Sequence, residues 1–519
     1  MNTPSTPAAW RLGAGWTACA PGATPSLRDA QLEVEGPTIR AVSTGSAVRP
    51  GELPELACTG IPHARRLLVP ALANAHDHAR TYRSSTLGGW GLPLEAWLPL
   101  LSLLPGVDPY LVASTSFARS VRRGATAVMV HYTRAQGTVG PVEEALAVAR
   151  AARDVGIRIG FAVSLRDRQP LGYCADSVVL DRLRPSIRGA VARRMAAPAP
   201  SVAVQLERFA DIAAAIESDA TLAEHVTVQL GPTAVQWCTP ELLQAVAARS
   251  AADNRPVHMH LLETRYQREW ADEQYPDGIV RWLDSIGLLS PRLTLAHCAW
   301  ARPDELELLA ERGVTIAVNT SSNLHLRSGI APVAAMRAAG CRIAMGLDGL
   351  AFDEDDDGLR EMRLAGALHR GWGFEADWSD AALWQFASGT GRRAVMGAAR
   401  DQALPGGRLE HGHAADVLVL DLDRVDGDFG LIPDVDPVAP FMARANADAI
   451  ASVIAGGQVR VRDGRVTGID EPALRAELAA RTRSAIDADG EWWAWRDTLA
   501  EFAEDLGPFY RGRQFLGCC

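Results

Sequence analysis

The sequence predicts an α/β protein: a (β/α)8 TIM barrel, a small β-sandwich domain formed by both chain ends, and a helical C-terminal tail. Three observations predict it. The middle of the chain alternates short apolar, β-like runs with longer helical stretches, which marks a parallel sheet with crossover helices. Turn-punctuated β patterns stand near both ends, and neither group alone closes a core. From about Glu471 onward the pattern turns helical and rich in aromatics. A chain of 519 residues, 48% of them hydrophobic, has room for one large barrel and an accessory domain.

In chain order, residues 31–34 and 38–42 read as strands of the small domain. Residues 415–420 and 450–461 are their counterparts, and Asp463-Gly464 makes a hairpin turn between Val461 and Val466. The expected layout is 1–66 and 404–470 for the two parts of the β-sandwich, 67–403 for the barrel and 471–519 for the tail. Eight candidate barrel strands cover 67–72, 125–131, 157–165, 226–231, 256–262, 293–296, 314–318 and 342–346. Segments 142–155, 240–252 and 303–312 repeat their apolar residues at helical spacing and read as cladding helices. Segment 170–200 is irregular, arginine-rich and longer than an ordinary barrel connection, so it reads as an elaborated loop, a place for a lid or a subunit contact. In the tail, Trp492, Trp493, Trp495, Phe502 and Phe509 read as packing against the barrel or a second subunit.

Composition excludes several function classes. A formal charge of -10 argues against a nucleic-acid surface, which needs a basic stripe. No apolar run approaches the length of a membrane span, and the opening MNTPSTPAAW lacks a charged region followed by an apolar core. The expected location is cytoplasmic, with no membrane partner. Eight cysteines fall without a CxxC pair, so neither a zinc ribbon nor a disulfide framework is suggested; Cys518 and Cys519 read as an exposed, oxidisable end. The chain has no lysine, and its 52 basic residues are all arginine. That removes Schiff-base chemistry, a phosphate-loop lysine and a carbamylated lysine bridging two metals.

The polar residues fall where barrel enzymes place their sites, at the C-terminal ends of the strands. His76 and His78 follow the first apolar run and, two apart in an extended chain, point to one side. The fifth run gives His258-Met259-His260-Leu261-Leu262-Glu263, the sixth ends in His297, and the eighth ends in Gly346-Leu347-Asp348-Gly349. Any one of these has an ordinary packing explanation. Four of eight strand ends carrying His or Asp together do not, because uncompensated ionisable groups in a barrel mouth are costly. Three imidazoles and a carboxylate suit Zn2+, and Fe2+ less well. Such an ion brings the pKa of a bound water from 15.7 toward about 7, and a carboxylate beside it can take and return protons. This is hydrolytic machinery.

The motifs PALANAHDH, GPTAVQWCTPELL, HMHLLET, LAHCAW, NTSSNLHLRSGIAPV, GLDG with REMRLA beyond it, ASGTGRRAVMG and GGRLEHGHAADVLVLDLD occur in this order over most of the chain. Together they resemble the amidohydrolase superfamily, in its branch of mononuclear-metal aminohydrolases that includes S-adenosylhomocysteine, guanine and cytosine deaminases and the triazine hydrolases. The resemblance implies a (β/α)8 barrel with a β-sandwich from both termini, and a homodimer or higher homo-oligomer. It implies one ion per chain, held by His76, His78, His260 and Asp348. Glu263 would shuttle a proton to the leaving nitrogen, His297 would orient the hydroxide or polarise the substrate, and Asp348 would receive the water proton.

Two positions depart from the pattern. Val318 and Thr233 stand where family members often carry histidine, so ordinary nucleosides are less expected as substrates. Unusual polar clusters stand nearby: Arg80, Tyr82 and Arg83, then His131 and Tyr132, then the RDRQ of 166–169. From these and the NTSSN segment, the candidate substrate-binding residues are Arg80, Tyr82, His131, Arg166, Ser322 and Asn323, with Arg166 the preferred partner of an electron-rich or anionic group. The expected function is metal-dependent hydrolysis of a C-N bond at an amidine-like carbon of a small N-heterocycle. The alternatives are a hydrolase expelling chloride or a ring amide, and an inactive metal-loaded binding subunit.

Overall fold

The alternation of apolar runs and helices resolves, in the computed structural model, into two sheets of eight strands each. The structure describes residues 6–44, 53–195, 198–349, 353–375, 378–425 and 435–516, so Cys518 and Cys519 lie outside the described residues. The barrel strands are β1 (Leu72–Asp77), β2 (Ala125–Tyr132), β3 (Arg158–Leu165), β4 (Val226–Pro232), β5 (Val257–Leu261), β6 (Leu293–His297), β7 (Thr315–Val318) and β8 (Arg342–Met345). All are parallel, each bonded to the next in chain order. Every residue of β5, β6 and β7 is buried, as strands clad by helices on one face and packed inside on the other must be.

The seam between β1 and β8 is closed by strand ends and a side chain rather than by a ladder. The N–H groups of Leu347 and Asp348 donate to the His76 carbonyl at 3.1 and 2.8 Å, and the Asn74 carboxamide oxygen accepts from Leu347 N–H at 2.9 Å. At the opposite end, helix Gly389–Met396 stoppers the barrel. Its Val395 packs with Ala73, Ala127, Met129 and Ala162, and its Ala394 with Ala75, Ala317 and Ala344. Small interior side chains make the room, and the Gln229 amide donates to the Ala394 and Val395 carbonyls at 3.1 and 3.0 Å.

One expected strand splits in two. Residues Arg66–Pro70 belong to the second sheet, between Ala9–Thr17 and Val417–Asp421, and only from Leu72 does the chain enter the barrel. The switch falls at Ala71: its N–H donates to Asp416, while that of Leu72 donates to Gly124. The sheet therefore extends past the boundary expected after residue 66. An unbroken apolar run does not record a change of sheet, since both halves are buried.

The second sheet joins strands from both chain ends, with Arg66–Pro70 paired antiparallel to Val417–Asp421 at its centre. Its strands are hydrogen-bonded in one continuous order, and it encloses a core of its own around Trp10, Leu32, Val417 and Ile454. Its two flanks meet where Trp10 Nε1 donates to the Gly457 carbonyl at 2.8 Å. The Asp463-Gly464 hairpin is present, both residues having positive φ (46° and 75°).

Segment 170–200 is more ordered than a loop, holding helices Asp176–Arg182 and Pro185–Met195. The tail forms helices Glu471–Ala488 and Trp492–Arg511. Trp495, Phe502 and Phe509 are buried within this chain, whereas Trp493 is 64% exposed. Trp492 Nε1 donates to the Leu103 carbonyl and Trp495 Nε1 to Ser102 Oγ, at 2.8 and 3.0 Å.

Barrel, stopper helix and second sheet meet at Asp416, which is 4% exposed. Its oxygens accept from Arg158 Nη1, both at 2.9 Å, and from Gly456 N–H at 2.8 Å, with Arg392 Nε at 3.5 Å. Burial alone would raise this carboxyl; Arg158 and Arg392 outweigh it and hold it below the usual carboxylate range. Asp416→Asn takes from the partly buried Arg158 its carboxylate and leaves the buried Arg392 with Asp401 alone, and a loss of about 3 kcal/mol in denaturant unfolding is expected. Because the folded carboxyl lies below its unfolded value, its contribution is complete above about pH 4 and is lost as the pH falls through the folded value. The gap between wild type and variant should therefore hold steady near neutrality and narrow only in acid.

Candidate active site

The strand ends converge as the sequence arranged them. His76 is the penultimate residue of β1, and His78 follows directly after its end; His260 lies in β5, and His297 ends β6. Asp348 stands just past β8. Ligand atoms of His76, His78 and His260 lie within 4.8 Å of one another, as do those of His76, His297 and Asp348. Asp348 Oδ1 is 3.2 Å from His76 Nε2 and 3.1 Å from His78 Nε2.

Each imidazole is held from behind. His78 Nδ1–H donates to the His131 carbonyl and His260 Nδ1–H to the Thr233 carbonyl, and His76 Nδ1 is hydrogen-bonded with His258 Nε2, each at 2.7 Å. All three Nε2 atoms are thereby turned to the centre as lone-pair donors. His76 Nε2 is buried without a hydrogen-bond partner. An orphaned nitrogen beside two more and a carboxylate is the donor set of a tetrahedral divalent ion, and the residues fit one. Burial lowers the pKa of His78 to about 3 and those of His131, His258 and His260 well below normal, so the rings stay neutral and available to a cation.

The two carboxyls differ in kind. Burial raises Asp348, but the imidazoles of His76 and His78 beside it overcome that and hold the group well below its ordinary range. Ser322 Oγ donates to its other oxygen at 2.5 Å. Glu263, 4% exposed, is pushed up to about 7, chiefly by burial; His297 opposes the rise and Asp348 adds to it. Ser328 Oγ donates to Glu263 at 3.3 Å, and His297 Nε2 lies 3.6 Å from its other oxygen. His297 is steadied through Nδ1, 2.9 Å from Asn323 Oδ1 and 3.1 Å from Asn319 Nδ2. Gly346 gives this cluster its room, since a Cβ there would stand 1.9 Å from Asn319 Oδ1.

A cavity of about 310 Å³ opens above these groups, lined on one side by His78, His260, Glu263, His297 and Asp348. Of the expected substrate residues, Arg80 and Arg166 line it. The other four sit elsewhere. Tyr82 bonds Thr482 of the tail, and His131 is buried beneath the histidine cluster with Nε2 donating to the Gly231 carbonyl at 3.1 Å. Ser322 and Asn323 are turned to Asp348 and His297, so they position those groups rather than face the cavity. Residues not anticipated from the sequence complete the wall: Glu95, Trp97, Arg134, Tyr173, Arg194 and Tyr510. They come from connections and the tail, which carry no motif. His258, in the sequence one of the two histidines of the fifth run, lies behind His76 and is hydrogen-bonded to it. Replacing it, as in His258→Gln, should weaken metal binding about 10- to 100-fold in a chelator competition while circular dichroism stays unchanged.

The chain and its fold have known counterparts. The 5′-deoxyadenosine deaminase of Methanothermobacter thermautotrophicus is 27% identical over 448 residues, covering 85% of this chain and 92% of the relative. Among solved structures, an adenosine deaminase from Xanthomonas campestris with bound zinc superposes with a TM-score of 0.71 at 23% identity, covering 93% of this chain and all of that one. An atrazine chlorohydrolase from Arthrobacter aurescens, complexed with zinc and atraton, gives 0.72 at 22% identity, covering 91% of this chain and 99% of that one. The profile of the amidohydrolase family matches residues 67–460, more than half of the chain, and the protein belongs to that family.

Proposed function

We propose that this protein is a zinc-dependent aminohydrolase that attacks an amidine-like ring carbon of a small N-heterocycle and releases ammonia. The observation that carries the reading is the pairing, at the floor of one cavity, of three neutral imidazoles and an ionised Asp348 with a Glu263 that titrates near neutrality. The deaminase similarity over most of both chains supports it.

His76, His78, His260 and Asp348 would hold the ion. When bound, it supplies a Lewis acid that acidifies water at neutral pH. The side chains do the rest. Glu263, with its pKa near 7, can hold a proton and deliver it to a ring nitrogen, then serve the departing amine. Asp348, kept ionised, is the acceptor for the proton of the attacking water. His297, with Nδ1 donating to Asn323, presents Nε2 toward Glu263 and the cavity, where it can orient the nucleophile or an oxygen of the substrate. Zinc over iron is proposed from the nitrogen-rich donor set and from the zinc held by the two solved neighbours.

The proposal extends to a cytoplasmic homo-oligomer. Supporting it, the six cysteines among the described residues are free, as in a reducing compartment, and Trp372 and Phe374 stand 88% and 109% exposed, apolar surface that a partner copy would cover. No helix among the described residues is long and apolar enough to cross a membrane.

The likeness to an atrazine chlorohydrolase favours one second reading, chloride as the leaving group. Assays of ammonia and chloride over purines, pyrimidines, pterins and chlorotriazines separate the two, with ammonia expected. In the same assay Glu263→Gln should retain its metal, measured by atomic absorption, and lose about 10²- to 10⁴-fold in turnover. Undiminished turnover in that variant would sink the assignment.

A further inference from the structure

The wall facing the substrate carries more positive charge than the reaction needs. Arg80 follows β1, Arg134 follows β2 and Arg166 follows β3, and all three guanidinium-bearing residues line the one cavity. None forms an ion pair with a carboxylate among the described residues. Arg80 lies over the Trp97 ring, 4.9 Å from its centroid, Arg134 bonds the Leu104 carbonyl, and the Arg166 side chain makes no hydrogen bond among the described residues. The contrast with the fourth cavity arginine is plain: Arg194 meets Asp489 and Glu491 at 3.2 Å each.

The acids of the cavity are engaged elsewhere. Glu95 accepts from Tyr173 at 2.8 Å and from Thr264 at 2.7 Å, and Asp348 belongs to the histidine cluster. Glu263 is the remaining one, and its oxygens face Ser328 Oγ and His297 Nε2 at 3.3 and 3.6 Å. Guanidinium does not deprotonate in proteins, so the three charges persist. Carboxylates act on them only from beyond ion-pair distance, Asp348, Asp77 and Glu263 on Arg80, Glu144 on Arg134 and Asp176 on Arg166, and a divalent ion on the floor would draw on Asp348 and leave the wall with an excess of positive charge. An anion from the ligand corrects it.

We propose that the substrate is an N-heterocycle bearing an anionic oxygen group, a carboxylate or a phosphate, bound by Arg80, Arg134 and Arg166 along the β1–β3 side of the cavity. This rests on the hydrolytic reading above for where the ring lies, beside Glu263 and His297 on the β5–β6 side. The planar, two-pronged guanidinium suits either oxyanion. Between the two sides stand Trp97, Tyr173 and Trp237, flat surfaces for a heterocycle.

The test is equilibrium binding, by calorimetry, to the metal-loaded Glu263→Gln protein. The probes are matched pairs: pterin and pterin-6-carboxylate, cytosine and cytosine-5-carboxylate, adenosine and its 5′-monophosphate. At least one anionic member should bind 10-fold or more tightly than its neutral partner, and the arm that does so tells carboxylate from phosphate. Arg166→Gln and Arg134→Gln should erase that preference and Arg166→Lys should keep part of it, which a merely structural arginine would not do. Equal or weaker binding of every anionic member, or no binding at all, overturns the inference. If anions are preferred but wild-type enzyme hydrolyses none of the probes, it is the hydrolytic reading that fails.

Discussion

The carbonyl of His76 is the point on which barrel and site both depend. It accepts the N–H groups of Leu347 and Asp348, so the peptide that carries one imidazole of the histidine cluster also joins the first strand to the eighth. Asn74 and Asp77 reinforce the seam from either side. Asn74 Oδ1 accepts from His76 and Leu347 N–H, Asn74 Nδ2 donates to Asp77, and Asp77 in turn accepts from the N–H groups of His78, Ala79 and Gly349. Two buried polar side chains thus replace a missing stretch of ladder. Their satisfaction fixes His76, His78 and Asp348 relative to one another before any ion arrives, and a preorganised donor set is what lets a small number of ligands hold a cation firmly.

Preorganisation has a backbone component. Leu262, His297, Cys298 and Asp348 all have positive φ, between 47° and 75°, and so does Ala79 at 53°. Such conformations cost non-glycine residues of order 1–3 kcal/mol each, and they persist only where the surroundings over-determine them. Here they gather at the ends of β1, β5, β6 and β8. Each turns the chain sharply as it leaves the sheet, which aims Asp348 and His297 back across the mouth. The buried barrel beneath, stoppered by Gly389–Met396, supplies the rigidity that holds these turns.

These features explain why the site was more legible than the pocket. His76, His78, His260, Glu263, His297 and Asp348 each sit at or beside the end of an apolar run, and strand period with strand end is local information. Which strand belongs to which sheet is not local, so 67–70 passed for barrel although it pairs with Val417–Asp421. Nor does sequence tell which way a polar residue in a short helix turns. Ser322 and Asn323 lie next to each other in Thr320–His325 and face inward, to Asp348 and His297. Tyr82, two residues from Arg80, is drawn away by Thr482, which is 400 residues distant in the chain.

The same logic separates chemistry from specificity. The floor of the cavity is built from strand ends, where the barrel dictates position. The walls come from connections and from the tail, and their geometry is set by contacts between segments far apart in sequence. Arg184, at the head of helix Pro185–Met195, is gripped by Asp505 at 2.7 Å and flanked by Glu501 and Glu504; Arg194, at its other end, meets Asp489 and Glu491. Single exposed ion pairs contribute little, but this set ties both ends of one helix to the tail while Phe502, Leu506 and Phe509 of Trp492–Arg511 are buried. Tyr510 then reaches the cavity beside Tyr173, their ring centroids 5.5 Å apart. The wall made by Tyr510 and Tyr173 is tied to the floor through Glu95, which accepts from Tyr173 and from Thr264, the neighbour of Glu263. One floor of strand ends can in this way be combined with many different walls, and that is why fold and chemistry are more widely shared than specificity.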